Sequence, residues 1–399
     1  MKILLLHNYY QLPGGEDLVV QQEKALLEAR GHTVILLALS NDSITSARIK
    51  IKVAFKTIYS PTSRVQVSKT IAEFSPDIVH VHNFFPRLSP SVYYSCSAAR
   101  VPVVQTLHNF RLICPNALLF REGNPCELCV GKLVAWPGII HGCYRHSHLG
   151  SAVVATMLGA HQLWGTWKTA VDAYITLSEF ARQKLIAGGL PSSRLFVKPN
   201  CLAPDPGQRK RADSFALFVG RLSPEKGIKT LLAAWSHLPG RKLKIVGDGP
   251  LREAVEKAGL PDIKFLGRQS SGMVLDLIGS AAFLVLPSEC YENFPRVIVE
   301  AFAKGVPVLG SRLGSTAELI DEGLTGMLFV SGDAKDLARK AEWLYAHPDE
   351  LQQMSNAARN EYETKYTADR NYAQLMEIYR SAAEVSKQRY AHSMPTRTV

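Results

Sequence analysis

Apolar and polar positions along the first half of the chain alternate between short strand-like runs and longer helical segments. Residues 16–30 repeat apolar side chains at helical spacing, and Gly31 is typical of the position where such a helix ends. The short apolar runs around this helix are bounded by turn residues, which is typical of buried strands. The predicted strands of this half are 2–6, 33–39, 78–82, 101–107 and 173–177. Strands that alternate with helices predict a parallel sheet covered by helices.

The alternation stops around residues 198–213, a stretch rich in proline, glycine and basic residues that predicts a polar linker. A second alternation follows, with predicted strands at 216–219, 243–246, 263–266, 282–286, 306–309 and 326–330. The predicted fold class of the chain is therefore α/β, with two doubly wound domains. Such domains bind ligands in the crevice outside the carboxyl ends of their strands.

Two carboxylates, Glu292 and Glu300, lie eight residues apart across a predicted loop-to-helix junction. Pro295 suits the first position of a helix, whose leading amides lack partners and can hold an anion such as a phosphate. Glu292 would lie in the loop, and Glu300 about one and a half turns into the helix. Each can bind hydroxyls at one end of an elongated ligand, and a nucleotide-sugar has that shape. The alternative is a pair of solvated surface acids.

Residues 292–295 (ENFP) and 300–308 (EAFAKGVPV) resemble the E-x7-E signature of the family-four retaining glycosyltransferases. Further motifs agree with that family in order and spacing: 13–15 (PGG), 106–109 (TLHN), 219–222 (VGRL), 225–227 (EKG) and 247–250 (GDGP). The resemblance extends to about residue 380 and is closer in the second half. It implies the GT-B fold, in which two Rossmann-like domains face each other across a cleft.

The domain boundaries follow from the linker and the resemblance. We predict an acceptor-side domain over 1–203, with a cysteine-rich insertion at 109–148, and a donor-binding domain over 204–368. The resemblance implies that a helix at 369–388 crosses back to the first domain. Residues 389–399 are predicted to form a disordered tail.

Arg221 and Lys226 follow a predicted strand, five residues apart in a loop that contains glycine and proline. Transfer from a nucleotide-sugar releases a charged diphosphate, and fixed cations stabilise that charge as it develops. No Asp-x-Asp motif for a metal clamp is evident, so no metal cofactor is expected for catalysis. In the resembled family, residues in these two positions bind the donor phosphates.

The resemblance also implies roles for the acidic segment. Glu292 would orient the sugar hydroxyls and favour positive charge at the anomeric carbon, and Glu300 would bind the ribose. Asn293, Phe294 and Pro295 would supply loop amides near the phosphates and the sugar. The base, uracil or guanine, would be chosen by backbone contacts near residues 266–268, which end at Arg268.

Two features of the first half agree with the same family. Gly14 and Gly15 follow the first strand, where the absence of a Cβ lets backbone approach a ligand; a simple turn is the alternative. His108 ends the strand 101–107. The resemblance implies that this histidine contacts the transferred sugar, whereas an isolated histidine at a strand end is more often structural.

Cys114, Cys126, Cys129 and Cys143 are four of the seven cysteines and lie within one short segment. A Cys-x2-Cys pair with two further thiols can form a structural zinc site. The irregular spacing and the expected reducing compartment leave ordinary reduced thiols as an equal alternative.

The net charge of +11 is concentrated in part between Asp42 and Glu73, where six basic residues occur without an acid. They are Arg48, Lys50, Lys52, Lys56, Arg64 and Lys69. This segment could bind an anionic membrane surface, or form a solvated helix face. No nucleic-acid-binding motif is present, and no apolar run predicts a signal peptide or a membrane span. We therefore expect a cytoplasmic protein, peripheral to the inner face of the cell membrane.

These observations predict a retaining hexosyltransferase that uses a UDP- or GDP-sugar and a lipid-linked or growing surface polysaccharide as acceptor. The alternatives are a nucleotide-sugar epimerase or hydrolase on the same fold, and a zinc-stabilised nucleic-acid-binding protein. A dinucleotide-dependent dehydrogenase is disfavoured because residues 13–16 do not supply the G-x-G-x-x-G fingerprint.

Overall fold

The computed structural model describes residues 1–11, 14–41, 47–209 and 213–391. Its chain divides into two compact units. The first comprises Met1–Leu118, Glu127–Pro199 and Asn371–Val399, and the second comprises Leu119–Cys126 and Asn200–Arg370. Pro13 of the PGG motif, and residues 392–399 of the predicted tail, lie outside the described residues. The side chains of Arg48, Lys50 and Lys52 also lie outside the described set.

The first unit is built on a six-stranded sheet. Its strands are β1 (Lys2–Tyr9), β2 (Thr33–Ser40), β3 (Ile78–Val81), β4 (Val103–Thr106), β7 (Ala173–Thr176) and β8 (Leu195–Val197). All neighbours pair in parallel in the order β2-β1-β3-β4-β7-β8. The run Ile3 to Leu6 is fully buried, as expected of a parallel strand covered by helices on both faces.

Helices connect and cover these strands. They are α1 (Gly15–Ala29), α2 (Ala47–Ile58), α3 (Pro61–Phe74), α4 (Ser91–Ala98), α5 (Trp136–Ile140), α6 (His148–Leu163), α7 (Thr166–Thr169) and α8 (Glu179–Ala187), with a 3-10 turn at Ser192–Arg194. The direction of strand order reverses between β1 and β3. Ligands of doubly wound sheets bind at such a point.

The second unit contains a second six-stranded parallel sheet. Its strands are β9 (Phe215–Val219), β10 (Lys242–Val246), β11 (Ile263–Gly267), β12 (Phe283–Leu286), β13 (Val308–Ser311) and β14 (Gly326–Phe329), in the order β11-β10-β9-β12-β13-β14. The order reverses between β9 and β12. A separate two-stranded hairpin joins β5 (Phe120–Arg121) to β6 (Asn124–Pro125).

The helices of the second unit pack on both faces of its sheet. They are α9 (Ile228–Trp235), α10 (Arg252–Glu256), α11 (Ser271–Ser280), α12 (Arg296–Ala303), α13 (Gly314–Leu319), α14 (Ala334–Ala346) and α15 (Pro348–Lys365), with a 3-10 turn at Pro224–Lys226. Buried side chains from β9, β10, β12, α9 and α14 form a continuous apolar core.

The final helix, α16 (Ala368–Ala391), supplies the last part of the first unit. Tyr379 lies 2.8 Å from His80 of β3, and Asn371 accepts a hydrogen bond from Lys198 at 3.0 Å. The helix continues through Arg389, which pairs with Asp172 at 3.3 Å, so residues 389–391 are helical rather than part of the predicted tail. None of the helices in the described ranges is long and apolar enough to span a bilayer.

Candidate functional site

In the second unit, the loops that follow β9 and β12 leave the sheet side by side where the strand order reverses. The first loop contains Arg221 and Lys226, and the second contains Glu292. Carboxyl ends of adjacent parallel strands lie at one edge of a sheet, so the topology brings the predicted cations to the predicted acid. Lys226 and Glu292 are 66 positions apart in sequence.

Gly227 allows the two loops to approach each other. It ends the 3-10 turn with φ +67°, and a Cβ at this position would overlap the carbonyl oxygen of Pro287. The amide of Glu289 donates to the carbonyl of Glu225 at 2.9 Å and joins the same two loops. Glycine is required here by both backbone conformation and close packing.

Lys226 forms an ion pair with Glu292, and Ser288 donates a hydrogen bond to the same carboxylate at 2.6 Å. The exposed fractions of the Lys226 and Glu292 side chains are 26% and 12%. Burial opposes the charge on Lys226, but Glu292, together with Cys290 and Glu225, raises the pKa of the lysine above its ordinary value. The lysine therefore carries its positive charge at the edge of the sheet, within reach of an anionic ligand.

Helix α12 begins at Arg296, one residue later than predicted, because Pro295 is extended at the N-cap. The first backbone amides of α12 have no hydrogen-bond partner within the helix and can bind an anion. Asn293, Phe294 and Pro295 are buried beneath this end. Glu300 lies one turn into the helix, where Arg296 donates to it at 3.2 Å. Burial raises the pKa of Glu300, and the Arg296 charge partly opposes that shift.

Arg221 is exposed directly after β9, next to Leu222, whose amide donates to Asp248 at 3.0 Å. Arg268 is exposed after β11, two strands from β9 in the sheet. Strand spacing places the ends of β9 and β11 about 10 Å apart. The donor-binding residues predicted in the second half thus occupy one edge of one sheet, although their roles remain predictions.

In the first unit, the predicted glycines open helix α1. The amide of Gly14 donates to Asp17 at 2.8 Å, and the Gly14 backbone is extended, with φ −118°. A Cβ at Gly14 would meet no atom of the described chain within 4 Å. The packing of this unit therefore does not itself require glycine here, and the predicted contact with a ligand stays a prediction.

His108 follows β4 and belongs to a buried polar chain that the sequence did not predict. Its Nε2 lies 3.1 Å from Nδ1 of His82, and the two rings stack. Nε2 of His82 lies 3.1 Å from Glu23, which pairs with Lys198 at 3.4 Å. The sequence signal for this polar chain was the spacing of His80 and His82 at the end of a strand. That spacing does not reveal Glu23, the acid on α1.

The charges of this chain follow from its burial. Desolvation lowers the pKa of His82 to about 4, and His80 beside it adds to the shift. Desolvation and then His82 lower the pKa of His108 well below its ordinary value. Burial alone would raise the pKa of Glu23, but His80, Lys198 and His82 lower it well below the usual range. At neutral pH, Glu23 is therefore charged, and the imidazoles of His82 and His108 are neutral.

A second unpredicted acid, Glu16, lies beside His108 at the carboxyl edge of this sheet. Asn83 donates to Glu16 at 3.0 Å, and Asn109 approaches its other oxygen at 3.5 Å. Desolvation raises the pKa of Glu16 to about 8, and the neighbouring Asp17 adds to that shift. Its sequence signal was its position directly after the glycine pair, at the start of a helix.

Two of the four cysteines of the predicted zinc site form local hydrogen bonds. Cys114 donates to the Asn116 side chain at 2.9 Å, and Cys129 to the carbonyl of Ala135 at 3.9 Å. Tetrahedral zinc holds its sulfurs at about 2.3 Å, and hence within about 4 Å of one another. Among the described residues, the groups of side chains whose ligand atoms lie within 4.8 Å of one another include none of Cys114, Cys126, Cys129 and Cys143. In the described residues these four sulfurs do not converge, and a structural zinc ion at these thiols stays a prediction.

Two groups of potential metal ligands do converge among the described residues, one of His7, Glu16 and Asp17, and one of Glu23, His80 and His82. The second group includes the histidine beside His108. Both ring nitrogens of His80 already have partners, in Tyr379 and Thr106, each at 2.8 Å. The ammonium of Lys198 beside Glu23 would also repel a metal cation. We therefore interpret this group as a buried polar cluster of the unit's core.

Two family models match consecutive parts of the chain. Residues 13–205 match the model described as Glycosyltransferase Family 4, and residues 204–361 match the model described as Glycosyl transferases group 1. Together they cover every strand of the two sheets except β1, and both groups of site residues described above.

Individual relatives agree with these matches. The sulfoquinovosyl transferase SQD2 of Arabidopsis thaliana is 33% identical over 75% of this chain, but the match covers 55% of that protein, so the chain spans about half its length. A phosphatidyl-myo-inositol mannosyltransferase of Mycolicibacterium smegmatis is 25% identical, over 94% of this chain and 92% of that protein. Anabaena HepE, solved in complex with UDP, superposes with a TM-score of 0.64 at 19% identity, covering 96% of this chain and 100% of that one. The predicted GT-B fold class is thereby confirmed.

Proposed function

The chain belongs to glycosyltransferase family 4, and on this basis we propose that it transfers a hexose from a nucleotide-diphosphate sugar to a hydroxyl acceptor with retention of configuration. The observation that carries the proposal is the pairing of Lys226 with Glu292 at the point where the sheet order reverses. A cation for the diphosphate and an acid for the sugar are held together there by a glycine that tolerates no side chain.

Donor binding exploits the same edge of the second unit. The diphosphate binds between the first amides of α12 and the cations Lys226 and Arg221. Glu292 accepts hydrogen bonds from the sugar hydroxyls, and Ser288 keeps this carboxylate in place when Lys226 turns to the phosphate. Glu300 binds the ribose. The exposed backbone near Arg268 contacts the base, which is uracil or guanine; HepE was solved in complex with UDP.

The chemical step breaks the bond between the anomeric carbon and the diphosphate oxygen, and forms a bond from the same carbon to the acceptor oxygen on the same face. The acceptor proton passes to the departing phosphate oxygen. Lys226, Arg221 and the helix end stabilise the negative charge on the leaving group, and Glu292 stabilises positive charge at the anomeric carbon. These groups of the protein carry out the neutralisation, so the proposed step calls for no metal ion.

We assign the first unit to the acceptor and to the transferred sugar. His108 contacts the sugar through its neutral imidazole, and Gly14 and Gly15 leave space for backbone contact with substrate. The proposed acceptor is a lipid-linked or growing surface polysaccharide. Support comes from the basic residues of α2 and α3, among them Lys56, Arg64 and Lys69, which favour an anionic surface. The protein would then act in the cytoplasm, at the inner face of the cell membrane.

The proposal is tested by incubating the purified full-length protein with a panel of UDP- and GDP-sugars and measuring release of the nucleoside diphosphate. One or more donors should be hydrolysed slowly without acceptor, and Glu292→Gln should reduce that rate at least about 100-fold. Glu253→Gln, on exposed α10, is the matched control and should leave the rate unchanged. Conversion of the sugar to its epimer would identify the alternative epimerase, and no reaction with any donor would refute the proposal.

A further inference from the structure

Helix α6 presents an uncharged face to solvent, with exposed apolar residues at both ends and the half-buried Val153 and Ala160 beside Thr156 between them. The exposed fractions of Leu149, Leu163 and Trp164 are 82%, 69% and 56%. At about 100° of rotation per residue, Leu149, Val153, Thr156, Ala160, Leu163 and Trp164 all lie within about 60° of one direction. The opposite side of the helix, including Val154, Met157 and Leu158, is buried in the unit. An exposed helix face normally carries charged residues, and this one carries none.

Further exposed apolar residues continue this surface along one edge. Leu133 and Val134 pack against Gly159, where an added Cβ would lie 3.0 Å from the Leu133 carbonyl. His148 lies 2.9 Å from the carbonyl of Ile139. Around the axis of α6, Gly159 and His148 are both rotated about 80–100° in the same sense from the middle of the exposed face. The exposed residues Leu133, Val134, Trp136 and Ile140 therefore border this edge.

Helix α2 borders the opposite edge. His161, about 120° to the other side of the exposed direction, lies 2.8 Å from the carbonyl of Ile58 at the end of α2. Phe55, nearly one turn earlier on α2, is exposed. We call the surface formed by Leu149, Leu163, Trp164, Leu133, Trp136, Ile140 and Phe55 the α6 surface.

The chain segment that contains α6 carries charges of one sign. No acidic residue occurs between Glu127 and Asp172, whereas Lys132, Arg145 and Lys168 are exposed there. Lys56 on α2 adds a fourth positive charge beside Phe55. Apolar side chains and tryptophans bordered by basic residues are typical of surfaces that enter the interface of an anionic bilayer. A second copy of the chain would bring the same positive charges together, which disfavours self-association.

We propose that the α6 surface docks the first unit on an anionic lipid bilayer, with α6 lying in the plane of the interface. The helix is about 24 Å long and its inner face is committed to the core, so it lies on the membrane and does not span it. This inference rests on the proposed function, whose lipid-linked acceptor would be met at such a surface. It assigns membrane contact to the segment between β6 and β7, with the basic helices beside it.

Co-sedimentation with vesicles tests this assignment. The full-length protein should bind phosphatidylcholine vesicles that contain phosphatidylglycerol, and bind vesicles of phosphatidylcholine alone more weakly. Leu149→Ser with Leu163→Ser should weaken binding to the anionic vesicles about 100-fold. The matched control, Leu324→Ser with Val330→Ser, removes apolar side chains of 56% and 57% exposure from the second unit and should bind like the parent protein. Circular dichroism should show unchanged folding for both pairs.

The fluorescence of Trp136 and Trp164 should shift to the blue on vesicle binding, and Trp136→Phe with Trp164→Phe should abolish most of that shift. Equal binding by the Leu149→Ser, Leu163→Ser variant and the parent would overturn the proposal, as would a parent protein that ignores both vesicles. A dimer in light scattering that this variant abolishes would assign the surface to a second copy instead. Donor hydrolysis without vesicles should be the same in the variant and the parent. Vesicle binding by a protein that hydrolyses no donor would therefore refute the function while leaving the surface intact.

Discussion

Replacement of Lys226 by methionine separates the contribution of this lysine to stability from its contribution to catalysis. The change removes the positive charge and keeps most of the apolar stem. It leaves the carboxylate of Glu292, which is mostly buried, with Ser288 as its remaining partner. The effects on stability and on catalysis both originate at the contact between Lys226 and Glu292, so a substitution of Glu292 can separate them.

The expected loss of stability follows from the exposure of the pair. Removal of one partner from a fully buried ion pair costs about 3–5 kcal/mol. Lys226 and Glu292 retain exposed fractions of 26% and 12%, so water screens part of this cost, and we expect about 1–2 kcal/mol. Adding Glu292→Gln removes the unpaired charge and should recover about 1 kcal/mol, because neighbouring substitutions are not additive. Urea unfolding of the single and double variants measures this difference.

The expected loss of activity has a different pattern. Loss of a fixed donor to a developing anion typically lowers kcat about 100- to 1,000-fold. The double variant still lacks the cation, so it should regain stability without regaining activity. Lys229→Met, at an exposed position one turn away on α9, is the matched control and should change stability by less than about 0.5 kcal/mol. If Lys226→Met kept kcat/KM within about threefold of the parent, or if the double variant recovered turnover, the assignment of this lysine to the leaving group would be wrong.

Two further predictions concern backbone packing and pH. Gly227→Ala should destabilise the second unit by about 2–4 kcal/mol in calorimetric unfolding, because it adds an overlap with Pro287 to the cost of a positive φ. The control is Gly240→Ala, where φ is +78° and the space is open among the described residues. This control should cost only about 1 kcal/mol in the same measurement. The folded pKa of His82 is about 4 against an ordinary 6.5, so the unfolded chain binds more protons between these values and stability falls as the pH drops through this window. The loss in the free energy of unfolding should reach about 3 kcal/mol in urea titrations at different pH values. The lowered pKa of Glu23 acts in the same direction at the acidic end. An equally steep dependence of stability on pH in His82→Asn would contradict this origin.

The strand pattern predicted most of both sheets, and the misses have physical causes. The first strand was predicted to end at Leu6, but β1 continues to Tyr9 with His7 and Asn8 buried. Buried polar residues interrupt a hydrophobic pattern. They are tolerated here because His7 lies 2.7 Å from Asp17, a partner that the pattern does not reveal. Strand β8 was missed because it has three residues, too few to show a period.

Some residues of the candidate site were predicted from the sequence, and others became evident only in the structure. The loop motifs selected Lys226 and Glu292 from sequence, because the local pattern of strand, glycine-rich turn and helix determines where a phosphate can bind. Their pairing depends on which strands become neighbours. Glu23 and Glu16 gave no comparable signal, because an acid on an amphipathic helix resembles a solvated residue until its burial is known.

The sequence alone determined the two parallel sheets and the identity of the residues at their carboxyl ends, since strand and helix periodicity and turn chemistry are local properties. The tertiary structure decided which loops meet, which acids become buried beside histidines, and that the four sulfurs of the cysteine segment do not converge in the described residues. It also decided that α6, an apolar helix in sequence, leaves one face uncovered. Burial and contact depend on residues far apart in the chain, and no local pattern contains that information.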